Sequence, residues 1–351
     1  MTGEWWQYLV IFFTSAVICS FLTPVFLRLA FKTGSLSNTK DGDPPVPHLG
    51  GLAIVSTFSL SVVLAAFIEQ PHDGLNSLIL VVALALILAV VGHIDDMRTL
   101  SPGIRLFVQF FCAFVVWLLD EGVSISQIEI LDLLITIFWI VGVTNAFNLL
   151  DNMDGLSAGL ATISSLAFFA IASANGQYLV AALSLAVAGC SIGFLRHNFY
   201  PAKIYMGDAG SLFIGFLVSY LGLKLRFESP VSRSFVVPIL VCLPAILDTT
   251  VVVFSRIWYR KSPFLGGKDH ISHRLVKTGF SIPISVSLIY GVSVCFGVIA
   301  FTVSRVETIS AWVLVALAFL IFSVCAGFSW MVPVYEESKQ RHFVFSWSKN
   351  N

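Results

Sequence analysis

The sequence predicts an all-α fold, a polytopic transmembrane helical bundle, and three observations carry that reading. Apolar residues fill 57% of the 351 positions and only 11% are charged, where a soluble globule carries nearer about a quarter. The mean hydropathy is +0.89. Apolar runs recur at the roughly 17–25 residues an α-helix needs to cross a bilayer, and the alternating segments of a membrane barrel are absent.

In chain order the runs predict spans at 8–30, 49–68, 77–94, 104–119, 129–147, 156–174, 178–195, 210–227, 234–254, 281–303 and 309–331. The first lacks a basic segment ahead of it and is long enough to stay as a span rather than be cleaved as a leader. The third closes on Gly92-His93-Ile94-Asp95-Asp96, just before Ser101-Pro102. Asp132 intrudes near the outer end of the fifth, and Lys224 and Arg226 near that of the eighth. The count is therefore eleven, or ten if one of these fails. The ninth embeds Asp248. No Pro/Ser-rich linker or internal repeat divides the chain, so 1–351 reads as one integral-membrane domain with 332–351 a short cytoplasmic tail. The six cysteines are scattered singly through apolar runs, without a C-x-x-C pair, and read as small buried hydrophobes.

With the amino terminus outside, sixteen of the twenty Lys and Arg fall on the inner side, leaving Lys224, Arg226, Arg233 and Arg305 outside. That asymmetry is a positive-inside signal even at zero formal net charge. Segments 31–48, 95–103, 145–155, 196–209 and 255–280 then face the cytoplasm.

Asp95, Asp96, Asp151, Asp154 and Asp208 each sit at the end of a membrane-length run on that face. A carboxylate near hydrocarbon is costly and normally lines a cavity or a site, so the five point to one site. Adjacent Asp95 and Asp96 repel and want a cation or a proton nearby; they can hold Mg²⁺ or accept a proton, or merely cap a helix in water. Asn145, Asn148, Asp151 and Asp154 recur at every third position, which a regular helix cannot keep on one face, so the helix ends or tightens there with Gly155 at the turn. Gly207-Asp208-Ala209-Gly210-Ser211 opens the eighth span with small residues, whose free N–H groups suit a phosphate while Asp208 holds a metal.

The stretch Arg256 to Lys277 is the most polar in the chain. Lys268, His270, His273 and Arg274 match a diphosphate, although a basic loop alone explains all but the histidines. Zinc on His270 and His273 lacks a second Cys/His cluster, and an all-oxygen aspartate set suits Mg²⁺.

Taken in this order, the four segments resemble the polyprenyl-phosphate N-acetylhexosamine-1-phosphate transferases, glycosyltransferase family 4 of the MraY and WecA/TagO types. Pro45-Val46-Pro47-His48-Leu49-Gly50-Gly51 looks like the family's P-x-P-x-x-G-G, Asp95-Asp96 like its aspartate pair, Asn145 to Leu156 like N-x-x-N-x-x-D-x-x-D-G-L, and Gly207 to Ser211 like G-D-x-G-S. Ala209 and the Asp269 to Leu275 stretch are more similar to the bacterial WecA/TagO branch. The basic, His-containing segment that precedes P-x-P in the family is reduced here to Ser37 to Asp43, so only Lys40 carries over.

The resemblance implies Mg²⁺-dependent transfer of an N-acetylhexosamine 1-phosphate, GlcNAc-1-phosphate in that branch, from a UDP-sugar to polyprenyl (undecaprenyl) phosphate. UMP is released and a cell-envelope glycan is started. Asp208 is the implied Mg²⁺ ligand, with Mn²⁺ a substitute. Asp95 and Asp96 help hold the ion or take the proton of the lipid phosphate. Asp151 and Asp154 join the catalytic set, Asn145 and Asn148 shape the nucleotide pocket, and Asn198 and Tyr205 lie near uracil. His270 and His273, with Lys268 and Arg274, hold the diphosphate. The partners are UDP-N-acetylhexosamine, polyprenyl phosphate and the bilayer, with no nucleic acid, and a homodimer is compatible. The location is a bacterial inner (plasma) membrane with a cytoplasmic site. The competing readings are an MraY-type phospho-N-acetylmuramoyl-pentapeptide transferase and, from another class, an ion-coupled transporter carrying its ion on Asp248.

Overall fold

The computed structural model describes residues 5–37, 45–68, 74–124, 126, 128–227, 232–264 and 266–335. Among them lie eleven long helices and one short one: α1 (Trp5–Thr33), α2 (Gly50–Ile68), α3 (Leu75–Met97), α4 (Pro102–Leu118), α5 (Glu129–Leu150), α6 (Leu156–Ala174), α7 (Tyr178–Asn198), α8 (Gly207–Lys224), α9 (Ser232–Trp258), α10 (Ile271–Lys277), α11 (Ile282–Val303) and α12 (Thr308–Met331). Each predicted span coincides with a long helix. Eight are long and apolar enough to cross a membrane, α2 and α4 are shorter apolar helices, and α8 has 18 residues. The chain is a multi-pass membrane protein. No strand occurs among the described residues, only an isolated bridge between Leu36 and Pro47.

Helix α8 is the axis of the bundle. It is apolar on all sides, the pattern of a helix enclosed by others, and every residue from Ala209 to Leu223 is buried. Helices α2, α3, α5, α6, α7 and α9 all touch it. α1 packs along α7 at one side, α11 joins α6 and α9 at the other, and α12 lies outermost. The exposed residues of α1 and α12 are large and apolar, among them Phe13, Phe21, Trp312 and Phe319. In a bilayer, lipid covers such a belt.

Loops gather the helix ends into one polar cap. The amide N–H groups of Gly50 and Gly51, which have no partner inside α2, donate to the carbonyls of Tyr205 (3.0 Å) and Met206 (2.9 Å), and Tyr205 N–H donates to Pro47 O (2.8 Å). The P-x-P-x-x-G-G segment thus clamps the loop that leads into α8, satisfying orphan helix donors as it does so.

The α3–α8 contact is set by Gly92, where an added Cβ would lie 2.3 Å from the Asp208 carbonyl oxygen. Gly92→Ala should therefore force the helices apart and cost about 1–3 kcal/mol. Gly142→Ala, where nothing lies within 4 Å of the new atom, should leave stability unchanged. Thermal unfolding of both variants in detergent checks the pair.

Candidate active site

Where α3 ends, α8 begins. The Asp96 carboxylate accepts the N–H of Asp208 (2.8 Å) and of Ala209 (3.1 Å). It satisfies donors that have no partner within the helix and sits at the positive end of the helix dipole. Gly207 adopts φ +65°, and a Cβ there would stand 2.6 Å from an Asp96 oxygen, so glycine is needed both for the turn and for the approach.

Asp208 is aimed by its neighbours. One oxygen accepts from Asn148 Nδ2 (2.6 Å), which also donates to Ser211 Oγ (2.8 Å). The other accepts from Arg105 Nη1 at 3.1 Å, and the same nitrogen is 2.7 Å from Asp95 Oδ2. Asp95 also accepts the Leu100 N–H. A single guanidinium therefore joins two carboxylates from α3 and α8, and it comes from the first turn of α4.

Beyond α5 the chain turns through 151–155. No hydrogen bond reaches the Asp151 carboxylate among the described residues. Burial, and then the charges of Asp208, Asp96 and Asp154, push this carboxyl up to about 8. Asp154 accepts the Ala202 N–H at 2.8 Å; burial raises its pKa, while that N–H works in the opposite direction. Tyr205 is half-buried, with its backbone spent on the clamp.

The His segment forms α10. His270 Nδ1 lies 2.7 Å from Asp248 Oδ2, and Asp248 Oδ1 accepts the Ile271 N–H at 2.7 Å. His273 is half-buried, its ring centroid 6.3 Å from that of His270. Burial, followed by His270 and Lys268, lowers its pKa. Lys268 is exposed. Ser272 Oγ donates to Asn152 Oδ1 at 2.7 Å, which fastens α10 to the 151–155 turn and so to the acids.

Several sequence expectations change. Arg274 is 2% exposed, and its guanidinium donates to the carbonyls of Asp269, Ser329 and Val332 and to Ser255 Oγ; it anchors the loop and does not face a diphosphate. Asn198 is 2% exposed, accepts the Gly155 N–H and donates to Ile204 O, so its amide braces two loops rather than reading uracil. Asn145 exchanges amide hydrogen bonds with Gln109 on the α4–α5 seam and also donates to Val141 O, so its amide is spent on the protein itself. Lys40 lies outside the described residues.

Two contributors escaped the sequence reading. Arg105 counted only as an inner-side charge, although a cation ten residues after the buried Asp95 was the available signal. Asp248 was weighed as an ion carrier, when an acid inside a span requires a partner.

Magnesium fits the donor set. Among the described residues no three His, Cys, Asp or Glu side chains form a ready metal cage, and Mg²⁺ commonly uses one or two carboxylates completed by water and phosphate. Asp208 and Asp95 are hard oxygen donors, already drawn together around a positive charge.

Acids, amides and histidines of this multi-pass helical protein are thus gathered at one set of helix ends. Residues 78–226 match the family described as Glycosyl transferase family 4. The chain is 32% identical over 326 residues to a probable undecaprenyl-phosphate N-acetylglucosaminyl 1-phosphate transferase of Bacillus subtilis, covering 89% of this chain and 88% of that one. It is 30% identical to a decaprenyl-phosphate N-acetylglucosaminephosphotransferase of Mycolicibacterium smegmatis, over 82% and 79% of the two chains. A phospho-N-acetylmuramoyl-pentapeptide-transferase of Anoxybacillus flavithermus is 32% identical over 62% of this chain and 76% of its own. The chain belongs to glycosyl transferase family 4 and is an enzyme of that family, which sets the transporter reading aside.

The Asp151 carboxyl gives a pH test. Raised from the ordinary 3.8 to about 8, it keeps a proton in the folded protein that the unfolded chain has released, so stability falls as pH rises from about 4 to about 8. In chelator-treated protein, the melting temperature should decline across that window, and Asp151→Asn should flatten the decline.

Proposed function

We propose that the protein transfers N-acetylglucosamine 1-phosphate from UDP-N-acetylglucosamine to a polyprenyl phosphate, releasing UMP and leaving a lipid-linked diphosphosugar. The observation that carries this reading is the convergence of Asp208, Asp95, Asn148 and Arg105 at the start of α8, with His270 and His273 fastened alongside through Asn152. The relatives named for GlcNAc-1-phosphate transfer support it, and the relatives of the pentapeptide type leave the donor to be tested directly.

The acceptor phosphate oxygen attacks the phosphorus that bears the sugar, and the bond to the UMP oxygen breaks. Such chemistry asks the protein chiefly for positioning and charge neutralisation. Asp208, with Asp95 and Asp96 beside it, would hold Mg²⁺, which when bound would supply charge neutralisation for the diphosphate. Asp96 keeps Asp208 fixed through the α8 amides. Asp151, whose carboxyl is raised by burial and by the acids around it and receives no hydrogen bond among the described residues, suits exchange of the acceptor phosphate's proton. His270, His273 and Lys268 receive the charge that moves onto departing UMP. An apolar cavity of about 290 Å³, lined by Leu150, Leu247, Ile271, Leu288, Val292 and Phe328 among others, suits the first isoprene units of the acceptor, because Leu150 adjoins Asp151 and Ile271 adjoins His270.

Purified protein with Mg²⁺, polyprenyl phosphate and UDP-N-acetylglucosamine should release UMP, while EDTA should stop release and Mg²⁺ or Mn²⁺ restore it. Asp208→Asn should lose about a hundredfold in turnover, the scale of removing a positioned electrostatic group. Full activity in metal-free enzyme, or release only with a muramoyl-pentapeptide donor, would sink the reading.

The same reading puts the site on the cytoplasmic face of a bacterial plasma membrane, where soluble nucleotide sugar is found; the inner-side excess of Lys and Arg motivates it. In a cysteine-depleted background of intact cells, a cysteine at Ser262 should resist a membrane-impermeant thiol reagent and one at Ser124 should react. The reverse pattern would exclude a cytoplasmic site.

A further inference from the structure

We propose that Asp248 is the positioning residue of His270: its carboxylate holds the Nδ1–H tautomer and leaves Nε2 as the ring nitrogen directed to the substrates. This rests on the reading of His270 as a donor to the diphosphate. Both side chains are buried, each residue 3% exposed, so the contact is not a passing surface pair. An ionised carboxylate only accepts hydrogen bonds, so the nitrogen 2.7 Å from Asp248 Oδ2 is the one that carries the proton.

The second oxygen of Asp248 takes the Ile271 N–H at 2.7 Å. One carboxylate thus grips the ring of residue 270 and the backbone of residue 271, fixing both the plane of the imidazole and the start of α10. Asp248 and Ile271 also line the apolar cavity, where low polarity strengthens the contact and makes an unpartnered acid costly. A cap alone would need only one acceptor oxygen. The two-pronged carboxylate sets a tautomer as well.

Asp248→Asn separates these functions, because His270 Nδ1 and Ile271 N are held by different carboxylate oxygens and the amide keeps an acceptor at only one of the two positions. Turnover should fall at least about tenfold, as for other residues that orient a catalytic imidazole, with the KM for UDP-N-acetylglucosamine changed by less than about threefold. The double variant Asp248→Asn/His270→Ala should be no slower than His270→Ala alone. In ¹⁵N-histidine-labelled wild-type protein, the resonance lost in His270→Ala should be that of the Nδ1–H tautomer, and Asp248→Asn should shift it.

An Nε2–H tautomer in the wild type would overturn the proposal even if Asp248→Asn fails to fold. Wild-type turnover in Asp248→Asn, with His270→Ala inactive, would overturn it and leave the role of His270 standing. Wild-type turnover in His270→Ala would instead remove the reading on which the proposal rests.

Discussion

The cap that Asp96 places on α8 is the contact from which the rest of the site is measured. A helix buried on every side cannot leave its first amides to water, and a carboxylate from α3 reaches both Asp208 N and Ala209 N. Once those amides are held, the Asp208 side chain can only project toward Asn148, Arg105 and Asp95. The P-x-P-x-x-G-G segment adds a second restraint by clamping residues 205 and 206 just upstream. Three separated pieces of chain thus converge on the first turn of one helix, and the position of its acid is set by backbone hydrogen bonds rather than by a flexible loop.

Much of this was legible in the sequence, for physical reasons. Apolar runs of bilayer length identified the helices because the hydrocarbon thickness fixes their size. Acids at the ends of those runs pointed to the candidate site because charge there requires a partner, and the fold brings Asp95, Asp96 and Asp208 together. Gly207 and Gly210 could be read as small residues at a helix start. What composition and spacing do not reveal is which polar side chains spend their hydrogen bonds on the protein itself. Arg274 and Asn198 carry the right chemistry for a nucleotide sugar, yet their partners are the backbone carbonyls of residues 329 and 332 and the loops at 155 and 204. Arg105 was missed for the converse reason: Asp95, ten positions upstream, hints at one partner, but the other, Asp208, stands 103 positions away.

The two ends of the bundle use their cations differently. At the end opposite the site, Lys224 pairs with Glu121, Arg226 donates to Gly122 O, and Arg305 donates to Ala174 O. Those side chains close helix termini and join neighbouring turns. At the site end, Arg105 lies among several acids and its charge is shared between two of them. It differs in this from Arg274, at the same end, whose guanidinium is spent on carbonyls and a serine hydroxyl.

The outermost helix, α12, looks peripheral, with most of its surface given to lipid. Its final turn nevertheless supplies the Ser329 carbonyl that Arg274 grips, the following segment supplies the Val332 carbonyl to Arg274 and the Pro333 carbonyl to Lys277, and Tyr335 donates to Asp269, which is itself paired with Arg256. The family match stops at residue 226, a hundred residues short of these tethers. The histidine helix thus has two sets of anchors: Asp248 and the 151–155 turn, which precede it in the chain, and the carbonyls at and beyond the end of α12, which follow it. The candidate site is thus not confined to the matched segment, and its last tethers can form only once synthesis has run past α12.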